Sequence, residues 1–150
     1  MAKRPKIRAP VAPKKRATTG GVDPASGASR LVCWRLDAVD FGGTWGWGNL
    51  DGSDLARLHV QLVAIESERF DTLKREKRAK SVKVEQICQE AQERLQVIAR
   101  EDTEDLWELR ISEKKWRAWG FVEGSIFSLL WWDPDHTVCR GLAKGVRRQR

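Results

Sequence analysis

The chain has 150 residues and a net charge of +7, which leaves room for about one domain. Its three scattered cysteines form no CxxC pair, and this excludes a disulfide framework and a cysteine-based zinc site. A reducing, cytoplasmic compartment fits that cysteine usage. No apolar run approaches the roughly 18 residues of a membrane span, and no apolar segment follows the basic N-terminus as in a secretory signal. We therefore expect no membrane partner.

The positive charge lies at the two ends of the chain. Residues 1–29 carry seven basic side chains and one acid, residues 140–150 carry five basic side chains and no acid, and the middle is net acidic. Such ends favour contact with a polyanion, although a tail that only keeps the protein soluble has the same composition. The candidate RNA contacts are Lys3, Arg4, Lys6, Arg8, Lys14, Lys15, Arg16, Arg147 and Arg148. We expect a disordered basic tail at 1–29, a domain at 30–140 and a basic tail at 141–150.

The first half of the domain combines a strand with two helices. Residues 31–37 predict a strand, and the glycines of 42–48 predict a loop. Apolar residues every three or four positions predict a helix that Ser53 caps, with a stripe formed by Leu55, Leu58, Leu62 and Ile65. The charged segment 66–83 is expected to be a solvated connector or a helix extension. A second amphipathic helix is predicted over 82–99.

Strands dominate the last third of the chain. Alternating or continuous apolar residues predict them at 106–111, 116–122 and 126–132, with a tight turn at 123–125. A short final strand is predicted at 136–139. The predicted fold is α+β: an N-terminal strand, a two-helix hairpin, then an antiparallel meander of three to four strands, with both helices on one face. Trp131 and Trp132 point to opposite faces, so we expect one of them in the core and the other exposed.

The strands of the last third resemble a known family. The segments LWELRI (106–111), WRAWGFVEG (116–124) and SLLWW (128–132) are similar to the RelE/ParE toxin superfamily, including its HigB-like members, mainly over residues 105–132. The resemblance implies a compact sheet with a helical hairpin and a basic concave face. RNA-cleaving members hold messenger RNA on that face in the ribosome and inhibit translation. The family also implies an antitoxin protein as partner.

The resemblance implies roles for four basic residues. Arg117 matches the arginine that opens a strand in the family, and Arg110 matches the arginine of the ELR strand. Both would contact phosphate and stabilise charge that develops at the scissile bond. Lys114 and Lys115, on the turn between those strands, would supply further RNA contacts.

The chain departs from the family pattern after the last long strand, where Trp-Asp-Pro-Asp-His occupies 132–136. Asp133 and Asp135 bring negative charge to a place where RNA phosphate would lie. Histidine is the residue type that titrates near neutrality, so His136 is a candidate general acid or base. A turn histidine bonded to a carboxylate is the plainer alternative. Asp133, Asp135 and His136 could also chelate a metal, but ligands this close suit one ion poorly, and we expect no cofactor.

Structural roles compete for other residues as well. Arg110 can pair on the solvent face of its strand with Glu108 or Glu123. Trp116 and Trp119 should face away from each other by strand alternation. A tryptophan exposed beside Arg117 can stack on a base, or the large rings can simply fill a small core.

Three functions fit these observations. The first is a toxin-like, metal-independent mRNA endonuclease in which Arg117 and Arg110 stabilise charge and His136 moves protons. The second is a non-catalytic ribosome- or RNA-binding protein on the same fold, favoured by the Asp-Pro-Asp-His departure and the long N-terminal arm. The third is a DNA- or gyrase-directed protein of the ParE type. RNA, with the ribosome, is the partner we expect.

Overall fold

The structure, a computed structural model, describes residues 27, 29–112 and 115–139. The candidate contacts of both tails, and Lys114, therefore lie outside the described residues. In chain order the elements are β1 (Cys33–Arg35), α1 (Gly52–Ile65), α2 (Phe70–Arg75), β2 (Ala79–Lys83), α3 (Gln89–Val97), β3 (Asp105–Arg110), β4 (Arg117–Glu123) and β5 (Ile126–Asp133). The predicted α+β class is confirmed. Within the described residues, no helix has the length and hydropathy needed to cross a membrane.

The five strands form one mixed sheet in the order β1–β5–β4–β3–β2. From β2 to β5, each strand pairs antiparallel with the next strand along the chain. β1 lies at the other edge and pairs parallel to β5. Gly124 and Ser125 form the two-residue turn between β4 and β5, where Gly124 adopts a φ of +63° that glycine tolerates without strain. The three long strands thus begin and end within one residue of their predicted bounds.

Helices cover both faces of this sheet. α1 and α2 contribute to a first core, where they meet strand residues such as Leu109, Leu129 and Trp132. α3 contributes to a second core, which contains Trp119 and Trp131. Adjacent residues of one strand belong to different cores, as the pleat of a strand requires. The prediction that both helices pack on one face is wrong. Trp131 and Trp132 do face opposite ways, but both are buried because both faces are covered.

The predicted helical hairpin is not confirmed, because α2 and β2 lie between α1 and α3. Both elements come from segment 66–83, which was expected to be a connector. Its few apolar side chains are deeply buried: Phe70, Leu73 and Ala79 are at most 3% exposed. Burial of these three residues, and pairing with β3, order a segment whose composition is mostly charged.

Both predicted helices begin at a different residue. Asp51, and not Ser53, caps α1: its backbone is extended and its side chain accepts a hydrogen bond from the Asp54 N–H at 2.7 Å. α3 begins at Gln89 because Val82 belongs to β2 and Val84–Gln86 forms a 3₁₀ turn. The apolar residues at 82–88 have helical spacing, yet they reach the second core from a strand and a turn.

The glycine-rich loop at 42–48 closes over a buried ion pair. Asp40 accepts hydrogen bonds from Nε and Nη2 of Arg94 at 2.8 and 2.7 Å, and from Trp131 Nε1 at 2.9 Å. A Cβ atom at Gly42 would lie 2.6 Å from the Arg94 guanidinium. The end of the Arg94 side chain would have to shift to admit it. At Gly46, by contrast, a Cβ atom would lie 2.2 Å from the backbone carbonyl oxygen of Gly42, so glycine is required at that position.

Candidate functional site

Charged side chains gather where β3, β4 and β5 lie side by side. Arg110 is the register partner of Arg117, which is in turn the partner of Asp133. Trp119, two residues beyond Arg117, lies in the second core. Because strand residues two apart share a face, Arg117 and Asp133 point to the side of the sheet that α3 covers.

Glu108 is the centre of this cluster. Its Oε1 lies 3.3 Å from Arg117 Nε and 3.5 Å from Lys80 Nζ, and its Oε2 lies 3.2 Å from His136 Nε2. The Glu108 side chain is 6% exposed, and that of Arg117 is 10% exposed. A carboxylate this buried needs cationic or hydrogen-bonding partners, and β2, β4 and the loop after β5 each supply one.

Asp133 shapes the loop that carries His136. Its side chain is completely buried and accepts four hydrogen bonds: from Trp119 Nε1 at 3.2 Å, from the Thr137 N–H and hydroxyl at 2.9 and 3.2 Å, and from the Val138 N–H at 3.0 Å. These bonds fold the chain back after β5. The final strand predicted at 136–139 is therefore wrong. The Asp133 carboxylate, which the sequence placed near RNA phosphate, points into the protein toward these donors.

His136 itself adopts a left-handed backbone conformation, with φ of +57°. A non-glycine residue held there costs on the order of 1 kcal/mol or more, and such strain is frequent at functional sites. The bonds from Asp133 to the next two residues hold the turn in place. The result is an imidazole that contacts Glu108 while 28% of its side chain stays exposed.

The predicted site residues are partly brought together. Arg117 and His136 both contact Glu108, and Arg117 Nη1 also donates to the Trp116 carbonyl at 3.0 Å. Arg110 is exposed, and its guanidinium has no partner among the described residues, so the suggested ion pair with Glu108 or Glu123 is not formed. Lys115 is exposed at the turn.

Two members of the cluster were missed in the sequence. Glu108 was considered only as a partner of Arg110, and Lys80 belonged to the segment expected to be a connector. One signal for Glu108 was available: it is an acidic residue inside the apolar run Leu106–Leu109, flanked by residues of both cores. A charge in the middle of a doubly covered strand indicates a buried network.

Two other chemistries find little support in this part of the chain. Burial, and then the nearby Glu108 carboxylate, raise the pKa of the Cys139 thiol, which disfavours the thiolate that a nucleophilic cysteine requires. No group of three His, Cys, Asp or Glu side chains converges as metal ligands would among residues 29–112 and 115–139. Both carboxylate oxygens of Asp133, a candidate metal ligand in the sequence, accept hydrogen bonds from donors inside the protein.

The cluster combines an acid–base group, a carboxylate that orients it and two cations. Such a set can transfer a proton next to a stabilised negative charge. No protein-family model matches the chain, and no curated protein or solved structure matches it either. The geometry of this cluster and the charge of the chain are therefore the features that point to a function.

Proposed function

We propose that the protein is an endoribonuclease that cleaves RNA by proton transfer at His136, with no metal ion taking part in the step. The observation that carries the proposal is the Glu108–His136 contact at 3.2 Å, flanked by Arg117 and Lys80. A histidine oriented by a buried carboxylate is a recurrent arrangement for proton transfer. Two adjacent cations suit a phosphodiester whose charge increases in the transition state.

In the proposed step the 2′-oxygen bonds to phosphorus and the bond from phosphorus to the 5′-oxygen breaks, which leaves a 2′,3′-cyclic phosphate. A carboxylate only accepts hydrogen bonds, so His136 Nε2 carries the hydrogen that faces Glu108. Nδ1 is then the atom that takes the proton of the 2′-hydroxyl. Water protonates the departing 5′-oxygen, and the hydroxide that results takes the proton from His136 Nδ1, which restores the neutral imidazole. Arg117 and Lys80 stabilise the phosphate charge. Glu108 acts as the positioning residue.

RNA is the proposed substrate because the net positive charge of the chain lies in its two tails. Neutralisation of phosphates releases counterions and adds affinity without sequence preference. The resemblance to the RelE/ParE superfamily extends the proposal to ribosome-bound messenger RNA as substrate, translation inhibition as the consequence and an antitoxin as partner. These extensions rest on the resemblance alone.

A second function, RNA or ribosome binding without cleavage, is favoured by one observation. The Glu108 carboxylate is 6% exposed and already has three partners. A network so fully satisfied also fits a purely structural role, with the tails and the exposed Arg110 providing affinity for RNA. A DNA- or gyrase-directed function has no such observation in its favour.

The deciding experiment incubates the full chain with a defined message, either naked or bound to ribosomes, and maps the new RNA ends by primer extension. We expect cuts with 2′,3′-cyclic phosphate ends that persist in EDTA. A message with a 2′-deoxynucleotide at the mapped position should resist cleavage there, because the attacking hydroxyl is missing. Co-sedimentation with ribosomes and an intact message would replace cleavage by the binding function. Neither cuts nor co-sedimentation would direct attention to DNA.

Substitutions in the cluster around Glu108 test whether its residues are responsible for the cleavage. His136→Asn and Glu108→Gln should each lower the cleavage rate by about a hundredfold, as loss of a positioned proton-transfer group does. Asp105→Asn is the matched control, since Asp105 lies on the same strand and pairs with Lys83 of β2 at 3.0 Å. Urea unfolding of each variant separates loss of chemistry from loss of fold. Full activity in folded His136→Asn would exclude the proposed step.

A further inference from the structure

Two cysteines that are distant in sequence lie side by side near the end of β5. Cys88 is the residue before α3, and Cys139 lies in the turn that follows β5. The backbone N–H of Cys88 donates to the Val138 carbonyl at 2.8 Å, and Cys139 is the next residue after Val138. Backbone bond lengths then place the Cα atoms of the two cysteines within roughly 6.5 Å of each other. Disulfide-bonded cysteines have Cα atoms about 4.4 to 6.8 Å apart.

The two side chains also share one environment. Both are partly buried and pack against the second core. Cys139 Sγ donates a weak hydrogen bond to the Gln86 carbonyl oxygen at 3.7 Å, so this thiol points toward the segment that leads into α3. Burial is the main cause of the raised pKa of the Cys139 thiol, followed by the Glu108 carboxylate, and the Cys88 thiol is near enough to contribute as well. Backbone distance and side-chain direction therefore agree.

Cys33, the third cysteine of the chain, lies far from this pair. It is exposed, and its register partner is Ile126 at the start of β5. Val138 instead bonds to the side chain of Asp133, at the end of the same strand. β5 is eight residues long, which separates Cys33 from the pair by roughly 20 Å. No disulfide spans such a distance.

A bond between the two sulfurs would hold the turn after β5 more firmly. This turn carries His136, and its shape depends on hydrogen bonds from the Thr137 and Val138 N–H groups to the Asp133 carboxylate. A covalent link at Cys139 would fasten the end of the turn to the first residue of the segment that continues as α3. A crosslink stabilises a fold because it restricts the opened or unfolded chain. Oxidation should therefore make the turn open less often.

We infer that Cys88 and Cys139 form a redox-sensitive dithiol that a hydroperoxide converts to a disulfide, and that this disulfide fastens the turn after β5 to α3. The bond forms whether or not the protein cleaves RNA. The sequence predicts a reducing compartment, where disulfides that form are usually transient.

Hydrogen peroxide is the simplest such oxidant. The Cys88 thiolate attacks one peroxide oxygen, the O–O bond breaks, hydroxide leaves, and Cys88 becomes a sulfenic acid. Cys88 takes this first step because the raised pKa of Cys139 makes that thiol the poorer nucleophile. The Cys139 sulfur then attacks the Cys88 sulfur in an intramolecular step, and its proton leaves with the displaced hydroxide as water. Two thiols and one peroxide thus give one disulfide and two water molecules.

The test treats the full chain with hydrogen peroxide, alkylates the remaining thiols in urea, and maps the peptides by mass spectrometry without reduction. We expect a pair of peptides joined through Cys88 and Cys139, which dithiothreitol separates, and Cys33 outside any intramolecular bond. The midpoint of urea unfolding should rise by about 1–2 M in the oxidised chain and return after reduction. Hydrogen exchange of residues 134–139 should slow by about tenfold, because the turn opens less often.

Cys88→Ser and Cys139→Ser remove the bond, and Cys33→Ser is the matched control that leaves it intact. The first two variants should lose the joined peptides and the shift in urea midpoint, while Cys33→Ser keeps both. Full alkylation of Cys88 and Cys139 after peroxide treatment would overturn the dithiol, as would equal yields of bonds to Cys33. A Cys88–Cys139 bond that changes neither the urea midpoint nor exchange at 134–139 would overturn the fastening of the turn.

Discussion

Nε2 of His136 lies 3.2 Å from Oε2 of Glu108, although 28 positions of sequence separate the two residues. The contact depends on the register of β3 against β4 and β5, which sets Glu108 on the face that α3 covers. It also depends on the turn after β5, which brings the imidazole back over that face. The carboxylate thus has its cations on one oxygen and its histidine on the other.

The turn after β5 provides the first prediction. Asp133→Asn replaces one acceptor oxygen by an NH₂ group that must oppose existing donors, so we expect a loss of about 1–3 kcal/mol in the free energy of unfolding. Cleavage should fall as well, because His136 is no longer held against Glu108. Asp135→Asn, an exposed residue of the same turn, should stay within about 0.5 kcal/mol of the parent. Urea titration measures the free energy of unfolding, and the primer-extension assay measures cleavage. Equal stability and equal cleavage in the two variants would contradict the role of Asp133 in holding the turn.

The local pattern of apolar residues was sufficient to predict part of this fold. The apolar stripe of α1 and the alternation in β3, β4 and β5 reflect burial that each segment carries in its own residues. Strand β2 was not predicted from the sequence, because only two of the five side chains of Ala79–Lys83 are buried. Pairing with β3 is what orders this segment. The second core could not be predicted either, because it depends on which helix covers which face of the sheet. Adjacent tryptophans at 131 and 132 do not carry that information.

The candidate site was less accessible to sequence reasoning than the fold. Arg117 and His136 were found through residue chemistry and a family resemblance, whereas Lys80 carries no local mark that separates it from other surface lysines. Its position across from Glu108 follows from the β2–β3 register. The contact between Arg57 and the Trp116 ring also joins distant segments, and only tertiary packing brings the two residues together.

The second prediction concerns the bulge in β4. The register between β4 and β5 shifts at Trp119 and Gly120, and a Cβ atom at Gly120 would lie 2.0 Å from the Ser128 carbonyl oxygen. Gly120→Ala should therefore lower the free energy of unfolding by about 3 kcal/mol, the upper range for overpacking.

Gly52→Ala is the control for that variant, since nothing lies within 4 Å of its added Cβ. In the first turn of α1, alanine should stabilise the chain by about 0.5–1 kcal/mol. Thermal unfolding of both variants shows whether each substitution raises or lowers the stability of the chain. A neutral Gly120→Ala would show that the two strands can separate without cost at the bulge.

The third prediction uses Cys139 as a reporter of the cluster. Burial and then the Glu108 carboxylate raise the pKa of its thiol, so alkylation by iodoacetamide at pH 8 should be slow compared with exposed Cys33. Glu108→Gln removes the charge contribution and should speed the reaction at Cys139 alone. Peptide mass spectrometry over time follows each site. An unchanged rate at Cys139 in this variant would show that the Glu108 charge does not act on this thiol.

The fourth prediction concerns acid stability and Asp40. Burial acts to raise the pKa of this carboxyl, but hydrogen bonds from Arg94, Trp131 and the Gly42 N–H outweigh it, so the pKa lies below its ordinary value of 3.8. A carboxyl whose pKa is lower in the folded state contributes stability that is fully present above the unfolded value. That contribution is lost as the pH falls through the folded value.

Asp40→Asn should therefore cost about 2 kcal/mol of unfolding free energy at pH 7, where hydrogen bonds to a charged group are lost. The difference from the parent should narrow as the pH falls below about 3.8, because the parent then loses the same charge. Asp37→Asn, whose carboxylate pairs with Arg35 in solvent, should show almost no difference at either pH. Urea unfolding at pH 7, 4 and 3 gives the comparison. A gap between parent and Asp40→Asn that stays constant to pH 3 would mean that neutral packing around the glycine loop, and not the ion pair with Arg94, carries the stability.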